Sequence, residues 1–459
     1  MEGLTPALDP TFIGEAIDIV GASNVLRDED VVAGFCSDWT GRFIGRASAV
    51  VRPGSTGEVE ALVASCRRHG VALALQGGNT SLSGGTVPLR GEVVCSLRRL
   101  TDLDVDRVAG QASVGAGVVL ADLQEAASRA GWAYGVDMAS RGSATIGGNV
   151  ATNAGGIRVL RYGDTRAQLL GVTAVFGSGQ VVSNLGGLLK DNTGYHLPGL
   201  LCGSEGTLGV VTAARLRLVP TAPERVVALI GFGSARQAIE AASAVRRRLP
   251  PVSAIELFLE SGMTLVREHT GLADPFDRPF PAYLLVEASD QVDPTPVFDD
   301  ALASLDGVAD VAVATDPVRG ANLWRYREAH TEAIATRGTP HKLDIAVPLG
   351  VLGEFIERVP GVVTSLRPTA EVWLFGHAGD GNVHVNVTGV APDDDAVDEA
   401  VFNLAAEYGG SVSAEHGIGT AKRRFLRLSR TDSEVAVFEA LKRTLDPDGV
   451  LNPSVLLER

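Results

Sequence analysis

Two histidines on either side of a glycine-rich turn have the clearest potential for chemistry in this chain. His377 and His384 flank Ala-Gly-Asp-Gly-Asn-Val, and the central Asp380-Gly381 is typical of a two-residue β-hairpin turn. If those two residues form the loop, His377 lies directly opposite His384, with Cβ atoms about 5 Å apart. Two imidazoles at that separation can share one metal ion. The simpler alternative is a hairpin that carries two surface histidines.

A carboxylate further along the chain supports the metal interpretation. The chain has only eight histidines, and a Glu415-His416 pair follows the hairpin. Two His and one Glu with an open coordination position are typical of a catalytic metal site. Asn386 lies two residues beyond His384 and therefore faces the same side of its strand. We predict that His377, His384 and Glu415 hold a metal ion.

Three glycine-rich stretches in the first half of the chain indicate a second ligand. They cover Gln76–Gly85, Gly142–Gly156 and Gly203–Thr212. The first follows a predicted strand but matches neither the nicotinamide fingerprint nor the P-loop motif. Small residues let backbone N–H groups converge on an anion. Any one stretch is equally compatible with a surface loop, but three together indicate a backbone wrapped around an extended ligand such as a dinucleotide.

The composition limits the class of protein. A chain of 459 residues is expected to form two or three domains. The net charge of −15 argues against a nucleic-acid partner and requires that local Arg and Lys hold any anionic substrate. The four cysteines form no CxxC pair and are typical of a reducing compartment. With no signal-peptide pattern or long apolar run, we expect a cytoplasmic protein, and peripheral docking to a membrane stays open.

The order of predicted elements gives an α+β organisation. A βαβ pattern begins near Ala47, and residues 220–224 form a linker to a region that alternates strands and helices. A helix over 321–335 places Arg327 and Thr331 on one face. A strand over 341–348 points Lys342 and Asp344 to one side, and periodicity alone makes Lys342 a surface residue.

Residues 48–220 resemble the FAD-binding domain of the vanillyl-alcohol-oxidase-like flavoproteins, with the three glycine-rich stretches matching its cofactor segments. The resemblance implies FAD as cofactor. Some members attach the flavin through a His in the first loop, where this chain has Asn79, so non-covalent FAD is expected. The cofactor-binding residues implied by the family are Gly77, Gly78, Asn79, Thr80, Ser81, Ser143, Gly147, Gly148, Asn149, Thr152, Gly206, Val210 and Asn452.

The C-terminal half resembles the C-terminal domain of the FAD-linked oxidases, and the likeness is greatest to the FAD- and zinc-dependent D-2-hydroxyglutarate dehydrogenases. The resemblance implies Zn²⁺ or another divalent metal on His377, His384 and Glu415. As a mechanistic hypothesis we predict that His416 is the general base, and a purely structural role is the alternative. The resemblance also implies that the substrate binds Arg327, Thr331, Lys342 and Asn386. A second cationic group at Lys342 favours a dicarboxylate. The chain departs from many relatives in having Ser454-Val455, where they have Gly-Lys, after Leu-Asn-Pro.

The expected architecture is a two-subdomain FAD-binding domain followed by an α+β substrate domain with an antiparallel sheet. The expected domains are a lead-in at 1–47, the FAD domain at 48–221, the substrate domain at 222–410, and a segment at 411–459 that completes the active site and returns to the FAD domain.

The expected reaction is oxidation of D-2-hydroxyglutarate to 2-oxoglutarate by hydride transfer to flavin N5. Alternatives are D-lactate, D-malate or glycolate as substrate, a metallohydrolase that uses the His-His-Glu set, and an inactive flavin-binding module. The sequence does not choose the electron acceptor among a quinone, an electron-transfer flavoprotein and a cytochrome. It also leaves the oligomeric state open, a homodimer included.

Overall fold

The computed structural model describes residues 8–457 and divides into two compact units. The first unit contains residues 8–156, 163–220 and 415–457, and the second contains residues 157–162 and 221–414.

The α-helices, in chain order, are α1 (Pro10–Val20), α2 (Glu29–Ala33), α3 (Thr56–His69), α4 (Leu120–Arg129), α5 (Ile146–Thr152), α6 (Val159–Tyr162), α7 (Thr165–Gln168), α8 (Leu197–Leu201), α9 (Ala235–Arg248), α10 (Glu260–Thr270), α11 (Thr295–Ala303), α12 (Pro317–Glu328), α13 (His330–Ala335), α14 (Leu349–Leu366), α15 (Ala396–Glu407), α16 (Leu426–Ser429) and α17 (Asp432–Leu445). The strands of the first unit are β1 (Val25–Leu26), β2 (Val50–Val51), β3 (Leu73–Gln76), β4 (Val93–Ser96), β5 (Leu103–Asp106), β6 (Gln111–Gly115), β7 (Trp132–Ala133), β8 (Leu169–Phe176), β9 (Val181–Ser183), β10 (Gly209–Arg217) and β11 (Val219–Pro220). Those of the second are β12 (Glu224–Phe232), β13 (Val252–Leu259), β14 (Ala282–Asp290), β15 (Val308–Ala314), β16 (His341–Ala346), β17 (Glu371–His377) and β18 (Asn382–Thr388). Short 3₁₀ turns cover Ala22–Asn24 and Arg423–Phe425.

The first unit begins with the predicted βαβ pattern. Strands β2, β4 and β3 are parallel, and α3 connects β2 to β3. The Ser55 side chain accepts the Glu58 amide at 3.1 Å as the N-cap of α3, and the Glu58 carboxylate accepts the amide of Gly54. Gly70 closes the helix with φ +64°, a conformation that glycine adopts without strain. Fully buried Leu62 of α3 joins the apolar core of this sheet.

A second sheet in the first unit is antiparallel, in the order β5-β6-β10-β8-β9. The C-terminal residues are tied into the same unit by Lys442, which is 5% exposed. Its Nζ donates to the carbonyls of Thr207 and Leu451, each at 2.6 Å, and to Asp446 Oδ2 at 2.5 Å. Leu451 in turn forms a parallel bridge to Leu73 of β3. Residues near the C-terminus therefore complete a sheet that begins before residue 80.

The second unit is built on one seven-stranded sheet in the order β15-β12-β14-β13-β17-β18-β16. Every strand pair in it is antiparallel, which confirms the predicted α+β domain with an antiparallel sheet. Residues Ala282–Ser289 of β14 are all buried, so helices must cover both faces. Met263 of α10 and Trp324 of α12 pack with Phe258 and Tyr283 on one face.

The helix predicted over 321–335 is two helices in the structure. Helix α12 is capped by Asp316, which accepts the Arg319 amide, and it ends at Glu328. Helix α13 begins at His330 after a break at Ala329, so one continuous helix was the wrong prediction. Arg327 is buried at the end of α12, whereas Thr331 is exposed at the start of α13.

Within residues 8–457, no helix is both long and apolar enough to span a membrane.

Candidate functional site

The histidine hairpin forms, but in a register different from the predicted one. His377 pairs with Asn382, and His384 pairs with Phe375. The loop holds four residues because the amides of Asp380 and Gly381 both donate to the His377 carbonyl, at 3.3 and 3.2 Å. Only Gly381 of the two has positive φ, so the type I′ turn that requires positive φ at both positions is absent. Direct opposition of the two histidines was therefore wrong.

The two histidines nevertheless share one face of the sheet. Opposed residues point the same way and the side-chain period along a strand is two, so His377, Asn382 and His384 lie on the same side. The imidazole centroids of His377 and His384 are 5.3 Å apart, and the ring planes meet at 84°. His377 and His384 are therefore close to each other, but as diagonal neighbours and not as the directly opposed pair that was predicted.

A carboxylate that we did not predict organises this face. Glu256 of β13 pairs with His377 of β17 and is 1% exposed. Its Oε1 is 2.7 Å from His377 Nδ1, and its Oε2 accepts the Nε–H of Arg327 at 2.7 Å. Burial raises the pKa of the Glu256 carboxyl, but the charges of His377 and Arg327 outweigh burial and lower its pKa below the ordinary value. The guanidinium of Arg327 also lies over the ring of Phe375, 4.6 Å from its centroid.

Strand β16 brings the predicted substrate residues to the same face. Lys342 pairs with Asn386, and Asp344 pairs with His384. Lys342 is half-buried, and this burial lowers the pKa of its ammonium. Asn386 is 5% exposed, and its Nδ2 has no hydrogen-bond partner in the described chain. A buried amide in that state fits an oxygen-bearing ligand, since buried polar groups are normally paired.

In the first unit, the first two glycine-rich stretches pack against each other. A Cβ added to Gly77 would lie 2.1 Å from Thr145 Oγ1, and one added to Gly78 would lie 2.1 Å from the Ser143 carbonyl oxygen. Contact between the two loops therefore requires glycine at both positions. Arg98 fastens the first loop, because its guanidinium donates to the carbonyls of Gly77 and Gly78 at 3.1 Å each.

Polar atoms around these loops are left for a ligand. Thr145 Oγ1, Asn149 Nδ2 and Ser204 Oγ are buried and lack hydrogen-bond partners within residues 8–457. Of these three residues, Thr145 lines a cavity of about 380 Å³ together with Arg98 and Ser143. An elongated ligand rich in acceptors and donors, such as FAD, fits such a set.

Several other residues expected at the cofactor use their side chains within the protein. Asn79 has φ +56° and donates to the Ser37 carbonyl at 2.9 Å, while its Oδ1 accepts the hydroxyl of Thr86. Thr80 and Ser81 are half-buried beside it. What this loop offers a cofactor is therefore chiefly backbone and hydroxyl groups.

The second stretch becomes helix α5. Gly147 is pressed against Ala116, whose Cβ would be 2.6 Å from an added Cβ. A Cβ added to Gly148 would make only an ordinary van der Waals contact, with Thr145 Oγ1 at 3.5 Å. Thr152 donates its hydroxyl to the Gly148 carbonyl at 3.0 Å. Of the two glycines of α5, Gly147 is therefore the one whose packing excludes a side chain.

The third stretch is held by the C-terminal residues. Asn452 accepts the Leu75 amide at 2.8 Å and donates to the Glu205 carbonyl at 2.7 Å. A Cβ added to Gly206 would lie 2.8 Å from Asn452 Nδ2. Val210 is buried in β10. Asn452 therefore joins strand β3 to the third stretch.

The side chain of Glu205 binds the backbone of the turn that follows Glu415-His416. Its half-buried carboxylate accepts the amides of Ile418 and Gly419 at 2.8 and 2.7 Å. Burial raises the pKa of Glu205, and these two amides act in the opposite direction. The backbone turns at Gly417, with φ +81°.

The same turn also contacts the first glycine-rich stretch. The Ser83 hydroxyl donates to the His416 carbonyl at 3.3 Å, and the Ser83 carbonyl accepts the Thr420 amide at 2.9 Å. His416 Nε2 lies 3.9 Å from Glu415 Oε1, so the turn directs both side chains to one side. The residues predicted as metal ligand and general base therefore rest on loops of the first unit.

Side chains with atoms that metals bind are Asp344 and His384 in the second unit and Glu415 and His416 in the first, whereas the predicted ligand His377 is not in this set. In the second unit, Asp344 Oδ1 is 3.7 Å from His384 Nδ1 and accepts Asn382 Nδ2 at 2.8 Å. The donor set of carboxylate oxygens and imidazole nitrogens fits a divalent ion such as Zn²⁺. Asp344 was predicted on this side of β16 but not as a ligand.

Comparison with known proteins identifies the class. Residues 47–184 match the FAD binding domain family, and residues 221–456 match the family of FAD linked oxidases, C-terminal domain. The chain belongs to the FAD-linked oxidase family and is an FAD-dependent oxidoreductase.

Individual proteins of similar sequence have more specific names than the two families. The chain is 38% identical over 438 residues to the D-2-hydroxyglutarate dehydrogenase of Xanthomonas citri pv. viticola, covering 92% of this chain and 91% of that protein. It is 35% identical to the mitochondrial D-2-hydroxyglutarate dehydrogenase of Danio rerio, covering 93% and 82%. The fold matches p-cresol methylhydroxylase with substrate bound, with a TM-score of 0.79 over 98% of both chains at 15% identity. The predicted vanillyl-alcohol-oxidase-type fold is thereby confirmed.

Three residues of these sites were missed from the sequence. Glu256 is the one charged residue of β13, and an isolated Glu in a buried strand is the signal that could have revealed it. Glu205 sits inside the third glycine-rich stretch and Arg98 follows β4, but nothing in their local sequence indicates which backbone groups they bind.

Proposed function

We propose that this protein oxidises D-2-hydroxyglutarate to 2-oxoglutarate, with FAD and a divalent metal as cofactors. The observation that carries the proposal is that Arg327, Lys342 and Asn386 lie on the sheet face that carries His377 and His384. Two cations and an unpaired amide suit a substrate with two carboxylates. The D-2-hydroxyglutarate dehydrogenases at 38% and 35% identity support the choice of substrate.

We propose that His377, His384 and Glu415 hold the metal, with Asp344 beside His384. Ala414 donates its amide to the Asp344 carbonyl at 3.2 Å, and Glu415 is the next residue along the chain. Because Glu415 directly follows this anchored residue, the hydrogen bond of Ala414 supports Glu415 as a metal ligand. When bound, FAD supplies the hydride acceptor and the metal supplies a Lewis acid for the 2-hydroxyl.

The protein residues bind and orient the substrate and move one proton. Arg327 and Lys342 take the two carboxylates, Asn386 donates to a substrate oxygen, and Thr331 adds a hydroxyl at the start of α13. His416 accepts the proton of the 2-hydroxyl, because the unprotonated ring nitrogen of a neutral imidazole is a proton acceptor. FAD is held without a covalent bond by the glycine-rich stretches.

Anaerobic titration of the purified protein tests the proposal. D-2-hydroxyglutarate should bleach the flavin absorbance faster than D-lactate or D-malate at equal concentration. Faster reduction by D-lactate would replace the proposed substrate, and no reduction by any of the three would replace the proposed reaction. Repeating the turnover with a quinone, an electron-transfer flavoprotein or a cytochrome then identifies the class of electron acceptor.

A further inference from the structure

We infer that Glu256 is a positioning residue that links the metal ligand His377 to the substrate-binding Arg327. The inference rests on the proposed function and deepens it. One carboxylate oxygen meets His377 Nδ1 and the other meets Arg327 Nε, both at 2.7 Å. Glu256 is 1% exposed, so neither contact is weakened by water. A metal-binding residue and a substrate-binding residue thereby share one buried anion.

The contact with Glu256 sets the tautomer of His377. An ionised carboxylate only accepts hydrogen bonds, so the proton of the imidazole stays on Nδ1 and Nε2 becomes the nitrogen for a metal. A carboxylate behind a metal-binding histidine orients the ring and raises its basicity, and loss of such a partner lowers metal affinity about 10- to 100-fold. Strand pairing of Glu256 with His377 places the carboxylate correctly without a flexible loop.

The contact with Arg327 fixes the guanidinium. The Nε edge of the guanidinium donates to Glu256, and the flat face of the guanidinium lies over the ring of Phe375. These two contacts together fix the orientation of the guanidinium. The terminal nitrogens of Arg327 have no protein partner in the described chain and can bind a substrate carboxylate. Rotation of the Glu256 carboxylate would therefore disturb metal and substrate binding together.

An amide cannot replace this carboxylate. Glutamine has one acceptor oxygen and one donor nitrogen, so Glu256→Gln can accept from His377 or from Arg327 but not from both. A second variant, Glu256→Asp, keeps the charge but is one methylene too short to bridge the two partners. We expect each variant to weaken Zn²⁺ binding at least tenfold and to raise KM for D-2-hydroxyglutarate.

Glu287→Gln is the matched control. Glu287 lies on the neighbouring strand β14, is 2% exposed, and accepts hydrogen bonds from Trp324 Nε1 at 2.9 Å and Ser253 Oγ at 2.8 Å. It therefore reproduces the cost of placing an amide in a buried carboxylate position, with no contact to His377 or Arg327. We expect it to lower thermal stability and leave the Zn²⁺ affinity within twofold of wild type.

The experiment titrates Zn²⁺ into full-length, FAD-loaded protein that has been treated with a chelator. Zn²⁺ affinity, FAD absorbance and KM are measured for wild type, both Glu256 variants, Glu287→Gln, His377→Gln and the Glu256→Gln/His377→Gln double variant. If the inference holds, Glu256→Gln lowers Zn²⁺ affinity in wild type but adds little in the His377→Gln background. Glu256 variants that match wild type in both Zn²⁺ affinity and KM overturn it. Failure of the proposed function is separate, because it appears as wild-type flavin that D-2-hydroxyglutarate does not reduce.

Discussion

The imidazole rings of His377 and His384 stand 5.3 Å apart and almost perpendicular, although the hairpin pairs neither residue with the other. Each histidine belongs to a different pair, and the two rings meet diagonally across β17 and β18. Diagonal neighbours in a sheet are still within reach of large side chains. Two ring nitrogens can therefore approach one ion from different directions, as a tetrahedral site requires.

Removal of the second histidine should release the metal and spare the flavin. His384→Ala is expected to lose most bound metal by elemental analysis and to lower the rate of flavin reduction at least a hundredfold, while FAD absorbance is kept. His269→Ala is the control, since that imidazole lies on α10 beside Glu332. Full activity in His384→Ala would rule out the metal.

Substrate choice should respond to Lys342. Lys342→Met is expected to raise KM for D-2-hydroxyglutarate about tenfold, equivalent to about 1.4 kcal/mol, because one carboxylate loses its cation. Steady-state kinetics with D-lactate, which has a single carboxylate, should change much less. Exposed Arg325→Met removes the same charge from α12 and should leave both constants unchanged. Equal losses for the two substrates in Lys342→Met would assign the lysine another role.

The contact between the first two glycine-rich stretches makes a steric prediction. Gly78→Ala places a Cβ 2.1 Å from a backbone oxygen, so the loops must separate and FAD content after purification should fall severely. Gly142→Ala lies in the same region with nothing within 4 Å of its Cβ, and it should retain FAD. Flavin absorbance of the purified variants measures their FAD content, and a Gly78→Ala variant that keeps its full content of FAD would contradict the packing.

Stability should depend on His330 at acidic pH. Burial, and next the charge of Arg327, lowers the pKa of His330 from 6.5 to about 3. Below pH 6.5 the unfolded chain binds a proton at His330, whereas the folded chain does not bind it until the pH approaches 3. The free energy of unfolding is therefore highest above pH 6.5 and decreases as the pH falls from 6.5 towards 3. The loss is on the order of a few kcal/mol at about 1.4 kcal/mol per pKa unit.

Urea unfolding between pH 7 and pH 4 measures this dependence. His330→Leu cannot take up a proton and should lose less stability than wild type over the same range, even if it is less stable at pH 7. The packing of His330 against Phe258 and Phe375, with ring centroids 5.1 and 5.0 Å away, must be partly lost in the variant. Parallel pH profiles for the two proteins would disprove the assignment.

The buried Lys442 should be critical for the first unit. Lys442→Met leaves Asp446 buried beside two unpaired carbonyls, and loss of one partner of a buried ion pair costs about 3–5 kcal/mol. A lower urea midpoint, with loss of FAD at the same denaturant concentration, is expected. Arg443→Met next to it on α17 removes an exposed charge and should have no such effect.

The sequence alone predicted which side chains share a face of their strand, but it did not predict which residues of β17 and β18 pair with each other. The alternation of side chains along β16 correctly predicted that Lys342 and Asp344 face the same side, and that along β18 did so for His384 and Asn386. This alternation holds in any strand, whichever strands it pairs with. The His377–His384 pairing failed since loop length depends on which backbone amides reach the His377 carbonyl. Glu256 was missed because its partners are 71 and 121 residues away, and no local pattern connects them.

The C-terminal residues have a consequence for how the protein is made. The chain passes between the two units at Gly156, Tyr162, Pro220 and Ala414, so neither unit is one continuous segment. Strand β3 receives Leu451 and Asn452 as neighbours, although the ribosome synthesises those residues nearly 400 positions later. The nascent first unit therefore cannot complete this sheet until Leu451 and Asn452 have been synthesised.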